Sequence, residues 1–233
     1  MVPHTTKAIQ FDTAISGRRV SAVAVIPSNP SAGYVFAHGA GAGMQHEFMS
    51  GVSLAFAREG IATLRFNFPY KEAGRRAPDR RPILVDTVRT AVAQARTLFG
   101  GIPFFAGGKS MGGRMTSLAQ SESPMPGVRG LVFLGFPLHA AGRSGSDRAA
   151  HLLKVDVPLL FVQGTRDRLA DIDLMRVLVD DTLRGDRTLV EIDSGDHSLR
   201  VPKRSGRSTD EVLADVAARA AGWMASRVET AQD

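Results

Sequence analysis

Between Phe104 and Ala119 the chain passes from an apolar run to a helix-forming one through Gly108-Lys109-Ser110-Met111-Gly112, and this pentapeptide restricts what can be built around it. A G-x-S-x-G that joins a strand to a helix makes a turn so sharp that neighbours of the serine carrying a Cβ collide. The serine itself is held in a strained backbone conformation. The flanks suit this turn: Ile102-Pro103-Phe104-Phe105-Ala106 reads as a buried strand, and Arg114-Met115-Thr116-Ser117-Leu118-Ala119 as the opening of a helix. Ser110 Oγ then stands exposed at the end of a sheet. Gly108-Lys109-Ser110 also looks like the close of a phosphate-binding loop, but such a loop needs a glycine five residues earlier, where Pro103 stands.

Around that turn the chain alternates. Lys7 to Ala14 and Arg19 to Ile26 read as a hairpin-like pair of strands, followed by a strand Gly33 to Ala37. An amphipathic helix from about His46 to Arg58 is closed by Gly60, and a strand Ile61 to Phe66 comes next. A basic loop, a helix from Pro82 to Leu98, the Ser110 turn, and a strand Val128 to Leu134 follow. After a long loop come a strand from Pro158, a helix from Asp171 to Leu183, a strand Thr188 to Ile192 and a last helix from Thr209 to Arg227. Alternating strands and helices predict one α/β domain over 1–233, a mostly parallel sheet with helices on both faces. Such sheets present ligand-binding groups at the C-terminal ends of their strands.

A serine hydroxyl is a poor nucleophile until an imidazole takes its proton and a carboxylate orients that imidazole. On the fold that carries this turn the order along the chain is serine, acid, histidine. Asp167 lies in the exit loop of the strand from Pro158, and His197 is the only histidine beyond it, in the loop Ser194-Gly195-Asp196-His197-Ser198. The spacing therefore predicts Ser110, Asp167 and His197 as the catalytic set. Asp171 and Asp173 are weaker candidates for the acid because they fall in the next helix, and Asp196 because it adjoins the histidine. An oxyanion site needs two backbone N–H groups. Met111, at a helix N-terminus, supplies one; the glycine loop His38-Gly39-Ala40-Gly41-Ala42-Gly43 supplies the other, with Ala40 preferred and Gly41 next.

Other chemistries find no support. His46-Glu47 begins a zinc-protease motif, but Ser50 stands where the second histidine belongs, and no dinucleotide fingerprint follows a strand. No metal or organic cofactor is expected. No apolar run is long enough to cross a membrane, residues 1–12 lack the apolar core of a signal peptide, and the absence of cysteine fits a cytoplasmic location. The net charge of +6 raises the question of nucleic acid, but the clusters Arg75-Arg76, Arg80-Arg81 and Lys203-Arg204-Arg207 carry no interleaved aromatics and are broken by Pro78, Pro82, Pro202 and Gly206, so specific nucleic-acid binding is not expected.

On these residues the chain resembles the α/β-hydrolase superfamily. More narrowly, it is similar to small bacterial predicted hydrolases related to a testis-expressed eukaryotic protein and to a subunit of the non-specific-lethal histone acetyltransferase complex, with dienelactone hydrolases at greater distance. The resemblance rests on 38–43, Arg65-Phe-Asn-Phe-Pro-Tyr70, 107–114, Leu134-Gly-Phe-Pro-Leu-His139, Gly164-Thr-Arg-Asp167 and Gly195-Asp-His-Ser198. It implies the α/β-hydrolase fold with a minimal lid or none, and the same three catalytic residues. It also draws attention to Asn67, Tyr70, Arg114, His139 and His151 as residues of the group's motifs, read first as structural, with Asn67 forming a turn and His139 and His151 bracing loops. His38, Gly41, Asn67, Tyr70, Arg114 and His139 are the candidates for substrate binding. The sequence departs from the group at Gln45 and Glu47 and at Arg168-Leu169-Ala170, both beside the expected site. The expectation is a serine carboxylesterase for small or soluble esters. Thioesterase or acyltransfer chemistry, a binding or scaffold role on a hydrolase fold, and the oligomeric state stay open.

Overall fold

A computed structural model describes residues 3–229. Eight strands form a single sheet: β1 (His4–Asp12), β2 (Arg19–Pro27), β3 (Ala32–Ala37), β4 (Ile61–Phe66), β5 (Phe104–Lys109), β6 (Val128–Leu134), β7 (Leu159–Gly164) and β8 (Arg187–Ile192), in the order β1-β2-β4-β3-β5-β6-β7-β8. β1 pairs antiparallel with β2 and β2 with β4; every pair from β4 through to β8 is parallel. β3, β4, β5 and β7 are buried at every residue, which is why they read as continuous apolar runs rather than alternating ones. β1, at the edge, is polar and mostly exposed, and of its residues Phe11 is the one fully buried.

Alternation along the inner strands still sorts side chains between two cores. Tyr34 and Phe36 face one side, where α1 (Glu47–Arg58) and α6 (Thr209–Glu229) pack with Met49, Val52, Phe56, Val212, Val216 and Trp223. Val35 and Ala37 face the other, shared with α3 (Arg81–Leu98) and α4 (Met111–Glu122) through Val88, Val92, Met115 and Leu118. The basic loop holds a single turn, α2 (Pro69–Glu72), and the long loop after β6 holds a 3₁₀ helix over Asp147–Lys154. Among the described residues that connection builds no lid, as the sequence led us to expect. Among the described residues no helix is long and apolar enough to cross a membrane.

The helix expected over Asp171 to Leu183 is different in kind. It is a short α5 (Ile172–Arg176) that widens into a π-turn over Val177–Thr182, with the Leu183 N–H donating to the Leu178 carbonyl at 2.9 Å. The wider turn brings Leu178, Val179 and Leu183 to the core together. The serine strand also runs further than its sequence pattern indicates, to Lys109, and α4 begins at Met111.

Near the centre of the sheet the pairing of β5 and β6 slips between Phe104 and Ala106, and Tyr34 Oη reaches across to donate to the Val132 carbonyl at 2.9 Å. The hydroxyl is fully buried, which raises its pKa well above the ordinary value and keeps it a donor. Tyr34→Phe removes this bond and leaves a buried carbonyl short of a partner. The unfolding free energy, measured in urea, is expected to fall by about 1–2 kcal/mol while the far-UV spectrum stays unchanged.

Candidate active site

Ser110 sits between β5 and α4 with φ 51° and ψ −117°, a backbone conformation that L-residues with side chains rarely adopt. The reason is a main-chain crossing. A Cβ added at Gly108 would lie 2.4 Å from the Ala37 carbonyl oxygen at the end of β3, and one at Gly112 would lie 2.3 Å from the same atom. Both glycines of the G-x-S-x-G are therefore required by one carbonyl, and the serine between them is driven out of the sheet. Its own N–H donates to the Leu134 carbonyl of β6 at 3.2 Å.

His197 arrives from the loop after β8. Its Nε2 lies 2.8 Å from Ser110 Oγ and its Nδ1 2.7 Å from Asp167 Oδ2. The Asp167 side chain has no exposed surface. Its Oδ1 accepts from the Leu169 N–H at 2.8 Å, and its Oδ2 also accepts from Gln163 Nε2 at 2.5 Å. Gln163 Oε1 in turn accepts from the Phe136 N–H at 2.9 Å. The carboxylate is thus held from three directions with one lobe aimed at the imidazole. The other acids are occupied: Asp196 Oδ1 accepts from the N–H groups of Ser198 and Arg200 and shapes the histidine turn, Asp171 caps α5, and Asp173 pairs with Arg176.

The glycine loop is braced from beneath. His38 is 0% exposed; its Nε2 accepts from the Phe68 N–H at 3.1 Å, so the ring proton is on Nδ1 and donates to the Gly39 carbonyl at 2.8 Å. Burial lowers its pKa to about 4, against the bond to Gly39 and helped by the nearby charge of Lys71, so the ring is neutral at neutral pH. Tyr70 Oη donates to the Ala40 carbonyl at 2.7 Å, and burial pushes that phenol up to about 12. Asn67 takes the Met44 N–H at 2.8 Å and donates to Glu72. In a trans peptide the carbonyl and the following N–H point oppositely. Anchoring the Gly39 and Ala40 carbonyls inward therefore turns the N–H groups of Ala40 and Gly41 outward, and neither has a hydrogen-bond partner among the described residues, nor does the N–H of Met111.

These groups border a groove of about 410 Å³ lined by Gly39 to Ala42, His46, Phe48, Met49, Lys109, Ser110, Leu169, His197 and Ser198. Of the candidate substrate-binding residues, Gly41 lines it. His38, Asn67 and Tyr70 lie behind the loop, spent on its main chain. His139 is bonded to the Ala140 carbonyl and the Asp171 N–H, and Arg114 is grouped with Arg148, Arg81 and His151, away from the groove. Sequence reasoning missed Gln163 and Lys109. A glutamine inside the apolar run Leu159–Gly164 was the available signal for the first. His46 caps α1 through Nδ1, and no group of three His, Cys, Asp or Glu among the described residues is arranged to hold a metal ion.

The sequence profile of the alpha/beta hydrolase domain family matches residues 30–225, and the chain belongs to that family. Solved structures share its fold at low identity. Dienelactone hydrolase from Anabaena variabilis has a TM-score of 0.74 at 20% identity, over 96% of this chain and 98% of that one. The esterase domain of a Rhodothermus marinus protein gives 0.70 at 20%, over 94% and 97%. A lidless α/β serine hydrolase from Xanthomonas campestris gives 0.69 at 20%, over 98% and 95%. No curated protein matches significantly.

His38 and His151 both have pKa values lowered from 6.5 to about 4, chiefly by burial. Between those two pH values the unfolded chain binds protons that the folded one does not, so stability falls as pH drops from 6.5 toward 4. His151→Gln removes one of the two groups, and the difference in urea unfolding free energy between pH 7 and pH 4.5 is expected to shrink relative to the parent protein.

Proposed function

We propose that the protein is a serine hydrolase of carboxylic esters, with Ser110, His197 and Asp167 as its catalytic triad. The observation that carries this reading is the unbroken hydrogen-bonded line from Asp167 through His197 to a strained, groove-facing Ser110. In the acylation step His197 Nε2 takes the proton from Ser110 Oγ as the oxygen bonds to the ester carbonyl carbon. Asp167 holds the ring so that Nδ1 keeps its proton and stabilises the imidazolium. The carbonyl oxygen, now negative, lies against the N–H groups of Met111 and of Ala40 or Gly41, preset by His38 and Tyr70. Collapse of the tetrahedral species breaks the bond to the alkoxy oxygen, which leaves with the proton from Nε2. Water then repeats the sequence on the acyl-serine, giving up one proton to His197 and releasing the carboxylic acid. Electrostatic stabilisation by such donors needs no rearrangement at the moment of reaction, which is why the bracing behind the loop matters.

Phe48, Met49, Leu169 and Ala42 make the groove walls apolar, and its openness and modest volume suit a short acyl chain. The esterase and serine-hydrolase names of the structural neighbours support the same reaction class. A chain without cysteine suits the reducing cytoplasm, where we place it.

A fluorophosphonate probe is expected to label the protein at Ser110, and the label to vanish in Ser110→Ala. p-Nitrophenyl esters of rising chain length are expected to show highest kcat/KM for the short ones. A protein that neither labels nor turns over any ester overturns the reading. Tyr70→Phe frees the Ala40 carbonyl without touching substrate; kcat is expected to fall by about tenfold, less than the 10²–10³ typical of losing an oxyanion donor outright, with KM little changed.

A further inference from the structure

Lys109 immediately precedes the nucleophile, yet the acylation chemistry gives it no task. It is 7% exposed, an unusual place for an ammonium, and a buried charge persists only with good partners. Nζ donates to the His197 carbonyl at 2.5 Å and stands 5.9 Å from the centroid of the Phe48 ring. The crossing point is Gly135, at the end of β6 with φ +68°. A Cβ there would lie 2.8 Å from the His197 carbonyl oxygen, 3.0 Å from Lys109 Nζ and 3.6 Å from His197 Nδ1. The ammonium, the carbonyl and the imidazole thus converge over a residue that has no side chain to separate them.

The position has a mechanical meaning. Ser110 is fixed by the centre of the sheet, but His197 hangs from β8, an edge strand that is only half buried over most of its length. Lys109 is the side chain that connects the serine's own main chain to the histidine's. We propose that Lys109 is a positioning residue, its charge-assisted bond across Gly135 holding the His197 main chain so that the imidazole stays between Asp167 and Ser110. The proposal rests on the triad reading for its effect on rate, although the clamp itself does not. Ionisable groups face the ammonium from two loops: the carboxylate of Asp167 after β7, and after β8 the carboxylate of Asp196 and the ring of His197; α1 contributes the Phe48 ring, and His46 borders the same groove. Burial lowers the pKa of Lys109 to about 8, the attraction of Asp167 and Asp196 partly opposing it. Below that pH the bond is charge-assisted; above it the bond is between neutral groups and roughly half as strong.

Kinetics, chemical rescue and histidine resonances test this. In Lys109→Met, kcat is expected to fall at least tenfold with KM changed less than twofold. The parent protein is expected to lose kcat/KM above about pH 8, and the variant to be flat from pH 7 to 9. Because the chain has no cysteine, Lys109→Cys alkylated with 2-bromoethylamine in mild denaturant and refolded restores an ammonium at this one position, and with it most of kcat. Should Lys109→Met fail to fold, the pH profile of the parent and the alkylated variant still decide. Full activity in the variant, with the parent's alkaline decline intact, overturns the proposal. Histidine ring resonances read the clamp without turnover: a His197 Nδ1 proton sharp in the parent and broadened in Lys109→Met supports it, and an unchanged one overturns it. A parent that takes up no fluorophosphonate, with the His197 proton still sharp in it and broadened in Lys109→Met, would sink the esterase reading and leave the clamp standing.

Discussion

A single carbonyl organises this molecule. The oxygen of Ala37, at the end of β3, lies so close to β5 and the start of α4 that neither Gly108 nor Gly112 has room for a methyl group. That approach forces the sharp turn, the turn forces Ser110 into positive φ, and the helix that starts one residue later aims its first N–H groups at the same space. The strained serine is stabilised by what surrounds it, since both strands beneath the turn are buried along their whole length. Replacing the glycines is not a question of flexibility; it is a collision between two main chains.

From that fixed point the rest of the site is assembled by polar side chains that hold one another and the main chain. His38 and Tyr70 hold carbonyls of the glycine loop from within, Gln163 holds Asp167, and Asp196 folds the histidine turn. Each satisfies a buried or half-buried main-chain group and in doing so directs another group outward. Burial also keeps these devices in one protonation state near neutrality: His38 neutral and Tyr70 protonated. Lys109, buried close by, carries its charge below about pH 8.

Much of this was legible in the sequence because the chemistry lies at strand ends. Apolar runs located the strands, so Ser110, Asp167 and His197 were identified as residues at the exits of three of them, and the glycine loop as the exit of a fourth. A structural role was the first reading of Asn67, Tyr70 and His139, but the main-chain groups they hold were not legible. His38, Asn67 and Tyr70 stood out in their motifs, but whether they face a ligand or the protein depends on how α2 turns back beneath the loop, and a four-residue helix leaves no periodic signal. The link from Lys109 to His197 spans 88 positions along the chain and depends on the register of β6 to β7 to β8. The π-turn after α5 was hidden for a related reason: helical spacing looks the same until tertiary packing selects the wider turn.

The order of strands has a consequence for how the site comes apart. Ser110 belongs to the middle of the sheet, while His197 depends on β8, which among the described residues pairs with β7 alone and is the last strand on its side. Edge strands open locally at a free energy below that of global unfolding. Ser110 and His197 therefore reside in regions of unequal stability, and fraying at one margin separates them while the core around Ser110 stays intact. The contact between Ser110 and His197 is then a sensitive reporter of the β8 margin, lost to heat or denaturant before the rest of the protein unfolds.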